Sequence, residues 1–289
     1  MNNNRQPVKP LPVCSSHRVL RAVVTSLLAI LSITDASTSR ADDKRPSSPA
    51  DILSSADVLW HFANTTSESD PPSALELRGE VKIGVELTGQ ERDESLARGG
   101  DGRAADLNGG WLRVPVKPES KLDLRGDTFT ALVRLKVPSG RWATRGFFTR
   151  GGGHDRLAWN FFSHDFDQGP SGMMVGCEIG IEGRAGLGGQ VKASVEQIGA
   201  SAWHDLVVRY DGRELTLFVD GVPLDRRPTQ GKIRTGNVEP LGIGAATSGE
   251  HVDLPMPAWF DHAALWRRPL SDDEIIAVSG GVERVRQKQ

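Results

Sequence analysis

The chain has 289 residues, of which 38% are hydrophobic and 25% are charged, and its formal net charge is −2. The sequence shows no basic patch. This argues against a nucleic-acid partner, because such binding depends on cations that displace counterions from phosphate. The 32 glycines and 17 prolines predict many turns and therefore short secondary-structure elements.

The first 41 residues are predicted to be a secretory signal peptide. A short apolar core at 22–33 follows a basic lead-in, and residues 39–41 offer the small side chains that a signal peptidase recognises. The core is shorter than a membrane span requires. We therefore expect an exported protein (periplasmic, cell-surface or secreted) with no membrane span in the mature chain, and retention of the segment as an anchor is the alternative. The basic residues of the lead-in are Arg5, Lys9, Arg18 and Arg21.

Removal of the signal peptide leaves Cys177 as the only cysteine. One thiol forms no internal disulfide and cannot build a zinc site, so a hydrophobic core must hold the fold together. Residues 42–54 are predicted to be a linker, because they begin with a polar run rich in proline and serine. Residues 55–282 are predicted to form one β domain, and residues 283–289 a polar tail.

Most of the domain alternates apolar and polar residues with a period of two, which indicates half-buried β-strands. The stretch 129–137 shows this most clearly, with Phe129, Val133 and Val137 on one face. The charged, glycine-rich stretch 92–106 is predicted to be a loop. Further strands are predicted at 57–62, 74–88, 111–116, 146–150, 157–162, 173–182, 190–197, 203–210, 213–219, 241–246 and 259–266.

The most regular stretch predicts a β-hairpin, because Asp-Gly at 211–212 separates two alternating runs. A two-residue loop at these positions pairs Val208 with Leu215 on an apolar face and Arg209 with Glu214 on a polar face. A slip of one residue would exchange the two faces, so we expect burial to fix this register.

A single helix is predicted, at the C-terminal end of the domain. Ser271 and Glu274 form a capping box, and Leu270 and Ile275 occupy the positions of a hydrophobic staple. About a dozen short strands followed by one helix predict an all-β fold: an antiparallel β-sandwich of jelly-roll type with a short C-terminal helix.

Two stretches carry a family resemblance: WHDLVVRYDGRELTLFVDG at 203–221 and AWFDHAALWRRPLSDDEI at 258–275. Together they resemble the laminin-G-type jelly-roll domains of secreted bacterial proteins, within the concanavalin A-like lectin/glucanase superfamily. The resemblance implies two packed antiparallel sheets. It also implies a domain that more often binds than catalyses, and similar modules occur beside sugar-cleaving domains.

Residues 178–182, Glu-Ile-Gly-Ile-Glu, are the best candidate for catalysis. Lichenase-type and laminarinase-type glycosidases of the same architecture carry Glu-x-Asp-x-Glu, in which the outer glutamates act as nucleophile and acid. Retaining hydrolysis needs two carboxyl groups about 5–5.5 Å apart. Gly180 replaces the aspartate that would position Glu178 and Glu182, so a non-catalytic strand is favoured over a catalytic pair.

The loop 163–169 is the candidate metal site. Asp165 and Asp167, together with backbone carbonyls, would bind calcium through oxygen ligands. Laminin-G-type domains often hold calcium at a rim, but an isolated Asp-x-Asp falls short of a calcium-loop signature. A solvated loop is therefore favoured, and calcium is the one cofactor considered.

Tryptophan is the residue type most suited to stacking on sugar rings, and the chain has seven. Trp60, Trp111 and Trp203 begin strands or lie on apolar faces, so they are predicted to be core residues. Three others lie in or beside loops, where exposed aromatic side chains favour a role in binding. These candidate ligand platforms are Trp142, Trp159 and Trp259.

The sequence therefore predicts an exported, non-catalytic binding module whose partner is a glycan or an extracellular protein. One alternative is a polysaccharide-active glycoside hydrolase that uses Glu178 and Glu182. The other is a structural domain of a cell-surface assembly.

Overall fold

Two antiparallel β-sheets, packed as a sandwich, make up most of the folded chain. The computed structural model describes residues 48–68, 73–117, 120–124, 127–151, 157–165, 172–235, 239–248, 251–253 and 255–280. The arrangement confirms the predicted all-β sandwich of jelly-roll type. The predicted signal peptide (1–41) and polar tail (283–289) lie outside the described residues.

The elements follow one another along the chain with short connections. The strands are β1 (Val58–Trp60), β2 (Glu76–Arg78), β3 (Lys82–Glu86), β4 (Arg103–Asp106), β5 (Trp111–Val114), β6 (Phe129–Lys136), β7 (Arg145–Arg150), β8 (Trp159–Asp165), β9 (Met173–Ile179), β10 (Gly189–Ser194), β11 (Trp203–Tyr210), β12 (Glu214–Val219), β13 (Val222–Pro228), β14 (Leu241–Ile243), β15 (Ala246–Ser248), β16 (His251–Asp253) and β17 (Trp259–Trp266). The helices among the described residues are α1 (Pro49–Ser54), α2 (Gly89–Ala97), α3 (Val195–Ile198) and α4 (Asp272–Val278).

The two large sheets have different memberships. The eight-stranded back sheet has the order β13-β12-β11-β6-β17-β4-β3, with β1 also paired to β17. The seven-stranded front sheet has the order β10-β9-β8-β7-β14-β5-β2. Strands β15 and β16 form a separate hairpin.

The main core fills the space between the front and back sheets. Alternate residues of each strand point into it, as the two-residue period requires; Val133 and Leu206 enter from the back sheet, and Phe148 and Phe161 from the front sheet. Phe148 meets Trp159 edge to face, with ring centroids 4.7 Å apart. Burying each such large apolar side chain contributes about 1.5–3 kcal/mol.

The central hairpin keeps its predicted faces, but its predicted partners are wrong. Val208 pairs with Leu217 rather than with Leu215, and Arg209 pairs with Thr216 rather than with the predicted glutamate. The whole register is displaced by two residues. Because side chains alternate with a period of two, such a displacement leaves every residue on its predicted face.

The turn of this hairpin explains the displacement. Gly212 and Arg213 form the two-residue loop, and Gly212 has a φ of 89°, which a residue with a side chain adopts only with strain. The Asp211 carboxylate accepts hydrogen bonds from the backbone N–H groups of Arg213 (2.9 Å) and Glu214 (2.7 Å). Asp211 therefore caps the turn instead of forming half of its loop.

The predicted loop at 92–106 is wrong in both of its halves. It contains most of α2 and all of β4. The sequence of the helix, GQERDESLA, gives no helical signal because it has no apolar stripe. The side of α2 that faces the protein is polar, and it is held there by the buried Ser95.

The predicted linker at 42–54 is also wrong in its second half. Residues 49–54 form α1, which begins with a capping box between Ser48 and Asp51. Ile52 and Leu53 are buried on the outer face of the back sheet, in a cluster with Trp266 and α4. The indole N–H of Trp266 donates to the Ile52 carbonyl at 3.3 Å, so α1 is an integral part of the fold.

The predicted C-terminal helix is confirmed as α4. Ser271 Oγ accepts from the Glu274 N–H at 3.2 Å, and the Glu274 carboxylate accepts from the Ser271 N–H at 2.8 Å. Ile275 and Val278 then pack onto the back sheet. Of the helices in the part of the chain that the structure describes, none has the length and apolar character needed to cross a membrane.

Candidate functional site

The outer face of the front sheet carries one residue from each of its seven strands in a single transverse row. Each residue of the row is the direct cross-strand partner of the next. The rows on either side of it consist mostly of core residues, so this row points away from the core. From β2 to β10 its members are Glu76, Arg113, Gly242, Thr149, Asn160, Glu178 and Gln190.

A wall formed by residues 245–247 covers the middle of this row. Thr149 Oγ1 donates to the Ala245 carbonyl at 2.9 Å. A Cβ on Gly146 would lie 2.3 Å from the backbone nitrogen of Ala246, and a Cβ on Gly242 would lie 2.6 Å from Thr247 Cγ2. The two glycines therefore allow this segment, which we call the β15 wall, to rest directly on the sheet.

The β15 wall leaves the β8, β9 and β10 side of the row partly exposed. We call this area the shelf; it consists of the outward-facing residues Asn160, Phe162, Gly176, Glu178, Gln190 and Lys192. Gln190 Nε2 donates to Glu178 Oε1 at 2.8 Å, which fixes the amide so that its carbonyl oxygen points elsewhere. Asn160 Oδ1 is buried and has no hydrogen-bond partner among the described residues. Amide, carboxylate and ammonium groups therefore make up the polar part of the shelf.

A second wall closes the shelf where β8 begins and β9 ends. Gly180 follows Glu178 on the same face, and a Cβ there would lie 1.9 Å from the Leu157 carbonyl oxygen and 3.1 Å from Arg234 Nη1. The Arg234 guanidinium donates to the carbonyls of Leu157 (3.3 Å) and Arg184 (2.6 Å). We call this feature the Arg234 wall.

The catalytic alternative depends on Glu178 and Glu182, and the structure does not place both of them on one strand. Strand β9 ends at Ile179, and the exposed Glu182 lies in the turn that follows, with its backbone N–H bonded to the Lys232 carbonyl at 2.8 Å. The position of the glycosidases' central aspartate is Gly180, where the Leu157 carbonyl leaves no space for a side chain. The continuous strand predicted over 173–182 is therefore wrong beyond Ile179.

The three candidate platforms have different surroundings. Trp159 is a core residue, with 1% of its surface exposed, so the prediction that it forms a ligand platform is wrong. Trp142 is half-buried, and its indole N–H donates to the Gly199 carbonyl at 3.2 Å. Trp259 lies on the back sheet with the ammonium of Lys136 5.3 Å from its ring centre, so a cation already occupies one face of that indole. Trp60, Trp111 and Trp203 are buried, which confirms the prediction that they are core residues.

The predicted calcium loop lies mainly outside the described residues. Asp165 is the last residue of β8 and pairs with Met173, whereas Asp167 is not described. Across the described ranges, no group of three or more His, Cys, Asp or Glu side chains is arranged to hold a metal ion.

Sequence reasoning missed a buried charge network on the outer face of the back sheet. Arg134 donates through Nη1 to Asp205 and through Nε to Asp261, both at 3.0 Å. Arg98 reaches Asp205 at 2.8 Å and also donates to the Ser279 carbonyl. Asp205 and Asp261 are fully buried. This network ties β6, β11 and β17 to the segment after α2 and to the end of α4.

A β-bulge makes the network possible. Between Phe260 and His262 the pairing of β17 with β6 shifts, so that Asp261 is aimed at Arg134 while its neighbour Phe260 still faces the core. Ser95 on α2 donates its hydroxyl to Asp261 at 2.9 Å. A sequence pattern of period two contains no signal for this displacement.

Burial and neighbouring charges together shift the pKa values of Asp261, Arg134 and the nearby His61. Burial opposes ionisation of Asp261, but the contacts with His262 and Arg134 outweigh burial and lower the pKa of the carboxyl group. Burial likewise disfavours the charge of Arg134, but Asp205 and Asp261 raise the pKa of the guanidinium. Burial lowers the pKa of His61, and the neighbouring His262 lowers it further.

Comparison with known proteins identifies the family. The sequence model of the concanavalin A-like lectin/glucanases superfamily, of laminin-G type, matches residues 108–276, more than half of the chain. The chain belongs to this superfamily. Among curated proteins, none matches the sequence.

Solved structures with the same fold are distant in sequence. Domain 4 of the extracellular arabinanase AbnA from Geobacillus stearothermophilus, in complex with arabinotriose, has a TM-score of 0.54 at 13% identity, over 78% of this chain and 98% of that domain. The binding domain of botulinum neurotoxin DC in complex with SialylT has a TM-score of 0.53 at 10% identity, over 80% of this chain. The binding domain of Paraclostridial Mosquitocidal Protein 1 has a TM-score of 0.54 at 11% identity, over 78% of this chain. The chain spans about half of each of these two binding domains, 52% and 51%.

Proposed function

We propose that the protein is an exported, non-catalytic module that binds carbohydrate on the shelf. The observation that carries this proposal is the uncovered part of the transverse row, where Asn160, Glu178 and Gln190 lie side by side on adjacent strands. Adjacent strands are about 4.8 Å apart, so polar groups recur at a spacing close to the length of one sugar unit. Oxygen acceptors on the shelf suit the hydroxyl donors of a glycan.

The structural neighbours support a binding role at the level of the fold. One was solved with arabinotriose and another with SialylT, and a shared fold leaves the site to be argued from this chain's own residues. Export is proposed from the predicted signal peptide at 1–41 and agrees with a glycan ligand outside the cell.

Two features argue against the hydrolase alternative. Glu178 and Glu182 do not share a strand, and the backbone at Gly180 leaves no room for an aspartate between them. Retaining glycosidases need two carboxyl groups held about 5–5.5 Å apart, and no side chain at position 180 can position this pair.

Titration of the purified protein with a panel of polysaccharides (debranched arabinan, laminarin and xylan) tests the proposal. We expect at least one of them to bind in isothermal titration calorimetry, without release of reducing sugar. Glu178→Ala removes one acceptor and the partner of Gln190, and we expect a loss of affinity of about tenfold, or ~1.4 kcal/mol.

Glu86→Ala is the matched control, because Glu86 is a glutamate on the back sheet whose side chain is 79% exposed. It should leave affinity unchanged, and thermal unfolding should show that both variants are folded. Absence of binding across the panel would contradict the proposal, as would equal affinities for Glu178→Ala and the unchanged protein. Release of reducing sugar that Glu178→Ala abolishes would favour the hydrolase instead.

A further inference from the structure

We infer that the shelf is a corner site that recognises the end of a glycan chain rather than a stretch of its interior. This inference rests on the proposed function and specifies the form of its ligand. It is carried by the two walls, which stand on adjoining sides of the shelf.

The β15 wall blocks the direction across the strands. Beyond Asn160 the next member of the row is Thr149, which is fully covered because its hydroxyl bonds the Ala245 carbonyl. A Cβ on Gly146 or on Gly242 would lie within 3 Å of backbone atoms of the wall. Main chain in direct contact with main chain leaves no passage for a sugar chain to continue over β7 and β14.

The Arg234 wall blocks the direction along the strands. Beyond Glu178 the next outward position is Gly180, which is covered by the Leu157 carbonyl and by Arg234. The Arg234 guanidinium also donates to the carbonyls of Arg184 (2.6 Å) and Gly186 (3.2 Å). Its planar fork of donors therefore holds the 181–188 loop at this end of the shelf.

The shelf is exposed at the β10 edge, where Lys192 is exposed. From that edge to Asn160 it is three strands wide, which corresponds to about 10 Å at ~4.8 Å per strand. A chain that enters over β10 therefore meets the β15 wall after two or three sugar units.

Asn160 lies next to the β15 wall, where its side chain can recognise the terminal hydroxyl group of a glycan. The residue is partly exposed, and its Oδ1 is turned inward, where it has no hydrogen-bond partner among the described residues. Rotation of the amide about its terminal torsion brings this unsatisfied acceptor to the surface, where a hydroxyl donor stabilises it. The terminal unit of a glycan has a free hydroxyl group where an interior unit has a glycosidic bond. Only the terminal unit can therefore donate a hydrogen bond from that position.

Oligosaccharides cut from whichever panel polysaccharide binds provide the test. End recognition predicts that the trisaccharide and the hexasaccharide bind with the same affinity, and that the stoichiometry in calorimetry is one protein per unbranched polysaccharide chain, because the two ends of a chain differ chemically and the site reads one of them. Asn160→Ala should weaken both oligosaccharides by the same factor, about tenfold, whereas Glu86→Ala should weaken neither.

A hexasaccharide that binds about tenfold tighter than the trisaccharide, or several protein molecules bound along one unbranched chain, would overturn end recognition. Carbohydrate binding itself would stand in that case. No binding to any polysaccharide of the panel would instead overturn the proposed function, and this inference with it. The two failures are therefore distinguishable in the same experiment.

Discussion

The strands of both sheets show the same two-residue alternation, but their outer faces differ in how far other segments cover them. Helices α1, α2 and α4 pack over the back sheet, and its outward residues include Arg134, Asp205 and Asp261, which are buried and paired. On the front sheet the polar row stays partly exposed on the shelf. The difference teaches that outward polar residues have two structural outcomes in this fold: on the back sheet they hold the covering segments in place, and on the front sheet they form the partly exposed shelf that is proposed to bind a ligand.

Disrupting the buried charge network of the back sheet should cause the largest loss of stability. Arg134→Ala leaves the buried Asp261 without its arginine and leaves Asp205 with Arg98 alone. Removal of one partner from such a buried pair costs about 3–5 kcal/mol. Urea unfolding measures the loss. Arg134→Lys keeps the charge but not the planar donor geometry, and its stability should lie between that of Arg134→Ala and that of the unchanged protein.

Arg226→Ala is the matched control, because Arg226 lies on the back sheet at β13 with 46% of its side chain exposed. Exposed ion pairs contribute about 0–1 kcal/mol, so its unfolding midpoint should hardly move. Equal effects for Arg134→Ala and Arg226→Ala would mean that the two sheets do not differ in how they use charge.

A side chain introduced at Gly180 in the front sheet should destabilise the protein by an intermediate amount. Gly180→Asp restores the carboxylate of the glycosidase pattern, but its Cβ would lie 1.9 Å from the Leu157 carbonyl oxygen. Overpacking of this kind costs about 1–3 kcal/mol, and we expect no gain of reducing-sugar release from laminarin. Thermal and urea unfolding measure the change in stability.

Gly183→Asp supplies the comparison for that variant. Gly183 has a φ of +73°, but a Cβ at this position would have no neighbouring atom within 4 Å, and aspartate tolerates the left-handed region at a cost of about 1 kcal/mol. If Gly180→Asp proved as stable as Gly183→Asp, the Arg234 wall would be looser than its contacts indicate.

Acid should weaken the back sheet by a smaller, graded amount. Because the pKa of His61 is lowered in the folded protein, the unfolded chain binds more protons, and stability should fall as the pH drops below the ordinary histidine value of about 6.5. The lowered pKa of Asp261 adds a further loss as the pH falls below about 3.9, its ordinary value.

Urea midpoints between pH 8 and about pH 2.5 measure this slope over a range that covers the ordinary pKa values of both groups. His61→Gln should flatten the part of this slope around and below pH 6.5, the ordinary histidine value. A slope in this range that His61→Gln leaves unchanged would contradict the role assigned to His61.

The fold was predictable because its strands obey one period. The faces of Val208 and Leu217 follow from alternation alone, and the same signal indicates the sandwich class. The register was not predictable in the same way: two registers that differ by two residues bury the same side chains, and the Asp211 cap decides between them. A pattern with a period of two residues looks the same after the strands shift by two residues, so it cannot distinguish the two registers.

The helix α2 and the shelf were beyond sequence reasoning for different physical reasons. Residues 89–97 bury a polar side rather than an apolar one, so no hydrophobic stripe indicates the helix. The shelf joins Asn160, Glu178 and Gln190 through strand pairings that no local pattern specifies. The sequence points to Glu178 but not to the two residues beside it, because they become neighbours only in the sheet.

Helices α1 and α4 lie together on the outer face of the back sheet. The described chain thus begins at residue 48 and ends at residue 280 beside these helices, on the opposite side of the sandwich from the shelf. An affinity tag or fluorophore attached next to either helix would lie on the back-sheet side of the sandwich, where it would not cover the shelf. Immobilising the protein through these positions should therefore orient every copy with the shelf toward the solvent.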